Sequence, residues 1–202
     1  MIGGLLNLAT VQVFMSRSTN IFLMTIAAIV LAGCSSTKTG GRDHSISHSP
    51  RKQVQRIVYE DSAYTQPVGQ PTMLVGRTFI YDAVNGGERS GSNVDVVLNP
   101  VSALSNQWFD VVCRSGNVLV GKPDPRYAAR AYASKTNSFG QYAFTNVPAG
   151  DYYLTTRLYW MDTKPFSGAV QYGGLLAKKV RLIPGTNTIN LSDSDKCRGY
   201  FH

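Results

Sequence analysis

From about Thr72 onward, apolar and polar positions alternate in short runs. Val94, Val96 and Leu98 are separated by Asp95 and Val97, and Tyr152, Leu154 and Thr156 by Tyr153 and Thr155. A period of two marks strands that bury one face. Strands are predicted over 73–83, 94–98, 129–136, 141–147, 151–160, 177–183 and 188–191. Turn sequences stand between them: Asn85-Gly86-Gly87, Ser90-Gly91-Ser92, Asn137-Ser138-Phe139-Gly140, Val147-Pro148-Ala149-Gly150 and Pro184-Gly185-Thr186-Asn187. About seven short strands parted in this way predict an all-β antiparallel sandwich, not a doubly wound sheet. Gly140 and Gly150 fall at turn positions that call for positive φ. One stretch breaks the alternation. Within 103–113 (ALSNQWFDVVC), Leu104, Trp108, Phe109 and Val112 recur at helical spacing, which predicts a short inserted helix or compact loop. Lys122-Pro123-Asp124-Pro125 then marks a rigid connection.

Upstream the chain changes character. Residues 35–71 are rich in Ser, Gly, Gln, Pro and Thr, so burial there does not offset the entropy of ordering. The segment reads as a flexible tether, with Gln53–Glu60 as a short strand or partner-binding stretch inside it. His44 and His48 stand four apart, as some zinc ligands do, but Ser45, Ser47, Ser49 and Pro50 oppose a helix and nothing completes a metal site. Further upstream, residues 21–32 form an apolar run well short of the roughly 20 residues a membrane-spanning helix needs. Arg17 precedes the run and Leu31-Ala32-Gly33-Cys34 closes it.

This arrangement resembles a bacterial lipoprotein signal peptide. The resemblance implies cleavage before Cys34, diacylation of its sulfur and acylation of its new amine. Such a chain is anchored to a membrane through Cys34 and does not span it. Ser35 stands where an aspartate would retain a lipoprotein at the inner membrane, which implies the outer membrane, at its periplasmic face or the cell surface. Met15 is the better start for such a signal, because the positive charge then sits beside the apolar run. The expected organisation is a signal peptide over 1–33, an acylated tether over 34–71 and a β domain over 72–202.

Charge and chemistry narrow the function. The 202 residues carry 20 Lys+Arg against 12 Asp+Glu, a net charge of +8. A basic balance suits nucleic acid, anionic lipid or an acidic partner. Export, together with the lack of a basic helix, an RNA-binding aromatic signature or zinc-finger spacing, argues against nucleic acid. His44, His48 and His202 all lie outside the predicted strands, so the domain has no Ser–His or Cys–His pair. Asp82, Asp95, Asp110, Asp124, Asp151 and Asp162 are scattered over turns and strand ends, with no pairing that suggests glycoside hydrolysis. No catalysis, cofactor or metal is expected.

The stretch from Thr136 to Leu154 (TNSFGQYAFTNVPAGDYYL) resembles the carboxypeptidase regulatory-like domain. That family reads Thr, turn, Gly, an alternating aromatic strand, then Val/Leu-Pro-x-Gly-x-Tyr-x-Leu. Gly76–Tyr81 and Val94–Leu98 fit its opening strands, and the likeness covers about 74–192 with an insertion at 100–130. It implies a transthyretin-like (prealbumin-like) sandwich, in which Phe144 and one face of Tyr152–Leu154 fill the space between the sheets. Such a module is usually an accessory, although fold does not fix function. Hydroxyisourate hydrolases of similar fold use histidines and a C-terminal Tyr-Arg-Gly-Ser. This chain ends Cys197-Arg198-Gly199-Tyr200-Phe201-His202, so that activity is not implied.

With Cys34 acylated, Cys113 and Cys197 are the remaining thiols, in an oxidising compartment. They either form one disulfide, tying the insertion to the C-terminal tail, or stay buried and unpaired. Recognition is expected on loops of the rigid scaffold: the insertion, with Trp108 and Tyr127, and a loop around Trp160–Tyr172. The leading expectation is an accessory module that docks an envelope protein partner. The alternatives are a glycan-binding module that stacks sugars on Tyr127, Tyr132, Tyr152, Tyr153, Tyr159, Trp160 and Tyr172, and a factor that simply stabilises the envelope. The same aromatics also suit a sandwich core.

Overall fold

Alternation of the kind described above builds a structure made mainly of strands. The computed structural model describes residues 50–64, 67–83, 85–165 and 168–201. In chain order it contains β1 (Gln53–Gln55), β2 (Pro71–Arg77), β3 (Phe79–Tyr81), β4 (Glu88–Ser90), β5 (Asp95–Pro100) and helix α1 (Ala103–Trp108). A π-helical run, Phe109–Arg114, continues α1 and leads to β6 (Val118–Val120) and helix α2 (Pro125–Ala128). The remaining strands are β7 (Tyr132–Lys135), β8 (Gln141–Pro148), β9 (Gly150–Lys164), β10 (Gly168–Leu182), β11 (Gly185–Thr188) and β12 (Lys196–Phe201).

Two sheets make the body, an all-β sandwich. The larger runs β12-β10-β9-β5-β7 and the smaller β11-β2-β8. All pairs within the larger sheet are antiparallel, whereas β11 lies parallel to β2. Between the sheets sits a core in which Leu74, Val96, Leu98, Val147, Tyr152, Leu154 and Leu176 are fully buried. Each such aliphatic side chain contributes roughly 1.5–3 kcal/mol by leaving water. Phe144 and Tyr152 fill the intersheet space. Short pairs, β3 with β4 and β1 with β6, flank the body.

Several expectations need correction. The strand predicted over 73–83 is two strands in different sheets. At Thr78 the N–H donates to the Gly140 carbonyl and the carbonyl accepts from Gly91, each at 2.9 Å, so the backbone leaves the ladder there. Of the loop expected around Trp160–Tyr172, residues 160–164 and 168–172 are paired strand. β9 and β10 pair without a break from Gly150↔Leu182 to Lys164↔Gly168, and Trp160 sits opposite Tyr172. Gly140 takes φ 75° as expected, but Gly150 does not have positive φ; Asn146 does, at 59°. Gly150 is small for another reason: a Cβ there would lie 2.9 Å from Pro67.

The tether is also shorter than predicted. Its part up to residue 49 lies outside the described residues, but the part beyond packs on the domain. β1 pairs parallel with β6, and Tyr59 and Tyr64 are each 6% exposed. Two guanidiniums hold these rings: Arg126 lies 4.5 Å over Tyr59 and Arg130 4.5 Å over Tyr64. No helix among the described residues is long and apolar enough to cross a membrane.

Candidate functional site

The insertion between β5 and β7 shapes the outer face of the larger sheet. Ser102 starts α1 with a reciprocal cap: its hydroxyl accepts from the Ser105 N–H (3.2 Å), and the Ser105 hydroxyl accepts from the Ser102 N–H (2.7 Å). The helix and the π-helical run then pack on outward residues of β9 and β10. Phe109 lies 4.6 Å from the Tyr153 ring, and the Tyr153 hydroxyl donates to Asn106 Oδ1 at 2.8 Å. A second, smaller core forms here from Val112, Leu119, Leu175, Ala177 and the two cysteines. Cys113 and Cys197 are joined in a disulfide, which ties the insertion to edge strand β12. Of the two readings left open by the sequence, the bridge is the one found.

The insertion does not cover the whole face. Val97 and Asn99 on β5 and Arg157 on β9 remain as the floor of a groove. Its two adjoining parts measure about 870 and 550 Å³ and share Val97, Asn99, Trp108, Tyr127 and Arg157 as lining. Trp108 rises from α1 on one side. Tyr127 stands on α2 on the other, a helix started by Asp124 as N-cap and Pro125 at its first position. The third wall is the chain segment Arg56–Tyr59.

This third wall is strapped in place. Gln107 accepts from the Ile57 N–H (3.1 Å) and donates to the Gln55 carbonyl (2.7 Å). Arg56 Nε donates to the Gly121 carbonyl at 3.0 Å. Arg130 Nε donates to the Tyr59 hydroxyl at 3.1 Å. Within the groove, burial pushes the Tyr127 hydroxyl up to about 12, with Arg56 pulling the other way, so it stays protonated as a donor. The Asp124 carboxyl is held below its usual range by its hydrogen bonds with Arg126. Among the described residues, the Asn99 amide, the Trp108 indole N–H and the Tyr127 hydroxyl have no hydrogen-bond partner in the protein.

Of the four aromatics singled out from sequence, Trp108 and Tyr127 come together in this groove. Trp160 and Tyr172 do not join them. They stack on one another with centroids 5.8 Å apart, and Trp160 packs against the intersheet core, on the other face of the sheet. The alternation of β9 forces this: even-numbered residues from Tyr152 to Trp160 face inward, and Arg157 faces out. Tyr152 and Tyr153 are buried, Tyr132 is half-buried and meets Tyr152 edge-on, and Tyr159 is exposed. Cys34, His44, His48 and His202 lie outside the described residues. No group of three or more potential metal ligands occurs among the described residues. Asn99 and Arg157 were missed from sequence. Their one signal was an outward position in an alternating strand.

No protein-family model matches this sequence, and comparison with curated proteins gives no match. Among solved structures, a protein from Pseudomonas aeruginosa described as a candidate carbohydrate binding protein is similar, with a TM-score of 0.54 at 24% identity. The match covers 65% of this chain and 93% of that one. A DUF3823 family protein from Parabacteroides merdae matches at a TM-score of 0.32 and 16% identity, over 61% of this chain and 46% of that one. At 24% identity the first likeness is one of fold.

Proposed function

We propose that the chain is a non-catalytic binding module whose groove takes a saccharide. One observation carries this reading: Trp108 and Tyr127 flank a floor on which the Asn99 amide has no hydrogen-bond partner among the described residues. Sugar rings offer C–H faces that pack on aromatic rings and hydroxyls that satisfy a lone amide. The larger part of the groove, about 870 Å³, lies within the usual range for ligand sites. Of the carboxylates at its rim, Asp124 pairs with Arg126 at 2.9 Å, and the exposed Asp95 lies 3.9 Å from Lys135. Neither is set up as one of a facing acid–base pair. The carbohydrate reading given to the Pseudomonas aeruginosa protein of similar fold agrees with this one without establishing it.

A second reading, docking of an envelope protein, draws on Ile57 and Val58, which leave 41% and 81% of their surface exposed at the rim. Under either reading the lipid expected on Cys34 would hold the module at the outer membrane. A glycan array probed with the purified full chain tests the choice. Binding that is lost in Trp108→Ala and Asn99→Ala and kept in Trp160→Phe supports the groove. Binding to no glycan, with recovery of an envelope protein through Val58, would favour docking instead.

A further inference from the structure

We infer that the groove selects acidic saccharides, chains whose sugar units carry carboxylates. The inference rests on the saccharide reading above and adds the ligand's charge. Three cations line the groove, Arg56, Lys122 and Arg157, against two carboxylates, Asp124 and Asp95. Each carboxylate already has a further cation beside it, Asp124 closely and Asp95 at longer range. Asp124 accepts from Arg126 through both oxygens, at 3.0 and 2.9 Å, and Asp95 faces Lys135. Among the described residues, the side chains of Arg157 and Lys122 have no ion-pair or hydrogen-bond partner. Arg56 spends its Nε on the Gly121 carbonyl, which leaves its terminal nitrogens.

Arg157 is the best placed of the three. It stands on the floor, shared by both parts of the groove, beside Val97, Leu175 and the Trp108 indole. A guanidinium is weakly hydrated, always charged, and presents a planar fork that fits a carboxylate with two parallel hydrogen bonds. In a concave site with apolar walls its field is less screened than on an open surface. A stacking ring on one wall, with a neutral amide and an unpaired guanidinium on the floor, matches the three faces of an acidic sugar: its C–H face, its hydroxyls and its carboxylate.

The test compares two forms of one polymer with the purified full chain: oligogalacturonate and its methyl ester, in which each carboxylate is capped as a neutral ester. At low ionic strength the acid form is expected to bind about tenfold or more tighter, the size of one charge-assisted hydrogen-bonded contact, and the preference should shrink as salt is added. It should collapse toward unity in Arg157→Gln/Lys122→Gln and persist in Arg181→Gln, a cation of the same sheet outside the groove. Equal binding of acid and ester overturns the charge inference and leaves the saccharide reading standing. Binding of neither form or any other glycan removes the saccharide reading and the inference with it. A preference that survives Arg157→Gln/Lys122→Gln, or that phosphatidylglycerol vesicles compete away, assigns it to the general basic surface and overturns the inference.

Discussion

Replacing Cys113 and Cys197 together by alanine should destabilise the chain and loosen the insertion before the sandwich. The bridge closes a loop of 84 residues, for which chain entropy gives about 4.5 kcal/mol, within the roughly 2–5 kcal/mol typical of such removals. Both cysteines are buried, at 5% and 1% exposure, among Val112, Leu119, Leu175 and Ala177, so the change also removes packed sulfur. The loss is localised by topology. Cys113 sits in the π-helical run that holds Phe109 on Tyr153, and Cys197 in β12, whose pairing with β10 is interrupted between Gly174 and Leu176. Urea unfolding of wild type and double variant is the assay. With a slope of about 1.5–2 kcal/mol per molar, a loss of about 4 kcal/mol moves the midpoint down by about 2 M. Wild type under reducing conditions should follow the variant. Amide exchange should quicken over 103–120 more than over β2 and β8. A double variant within about 0.5 kcal/mol of wild type would refute the reasoning, because the second core would then hold the insertion unaided.

Four further outcomes follow from other parts of the molecule. Trp160→Phe should cost less than about 1 kcal/mol in unfolding experiments despite the smaller ring, because the wild-type Nε1 is buried without a partner and such a donor carries a penalty of about 1–3 kcal/mol. Tyr64 and Tyr127 are each raised to about 12 by burial. Their neutral forms favour the fold, so this contribution is complete below pH 10, the unfolded value, and is lost as pH rises from 10 through 12; absorbance of tyrosinate followed beside unfolding checks it. Tyr59→Ala empties the site under Arg126 and should cost about 3 kcal/mol, read as faster proteolysis near residues 50–60 and a weaker groove. Cys34→Ser should abolish acyl labelling and release the chain from membranes; labelling that persists would place the lipid elsewhere.

Much of the sandwich could be read from the chain because alternation and burial coincide there. Tyr142, Phe144, Tyr152 and Leu154 are both residues of the alternating runs and members of the core. The stretch expected as a loop around Trp160–Tyr172 lies instead at the paired ends of β9 and β10, because a pattern of Pro, Gly and aromatic residues suits the end of a long hairpin as well as a loop. The segment around Tyr59 and Tyr64 was lost among polar neighbours, since the arginines that bury those rings lie more than sixty residues away. The groove was half legible. Trp108 and Tyr127 stood out as aromatics on an insertion, but Asn99 and Arg157 are ordinary strand residues until the insertion leaves them uncovered. No local pattern encodes which part of a sheet face a distant segment fails to cover.

The strap gives the domain a mechanical order. Any tension arriving from residues upstream of 50 must pass through Lys52–Tyr59 before it reaches β2. That stretch is held by the short β1–β6 pairing, the Lys52–Asn117 contact, the Arg56–Gly121 bond, the two bonds to Gln107, and the two arginines on Tyr59. It is a far slighter joint than the fifteen-residue pairing of β9 with β10. A pull from that side therefore meets this segment before the sandwich, and displacing it would remove one wall of the groove. A ligand that touches both Arg56 and the sheet floor bridges the joint from within, so an occupied domain should resist a pull that an empty one gives way to.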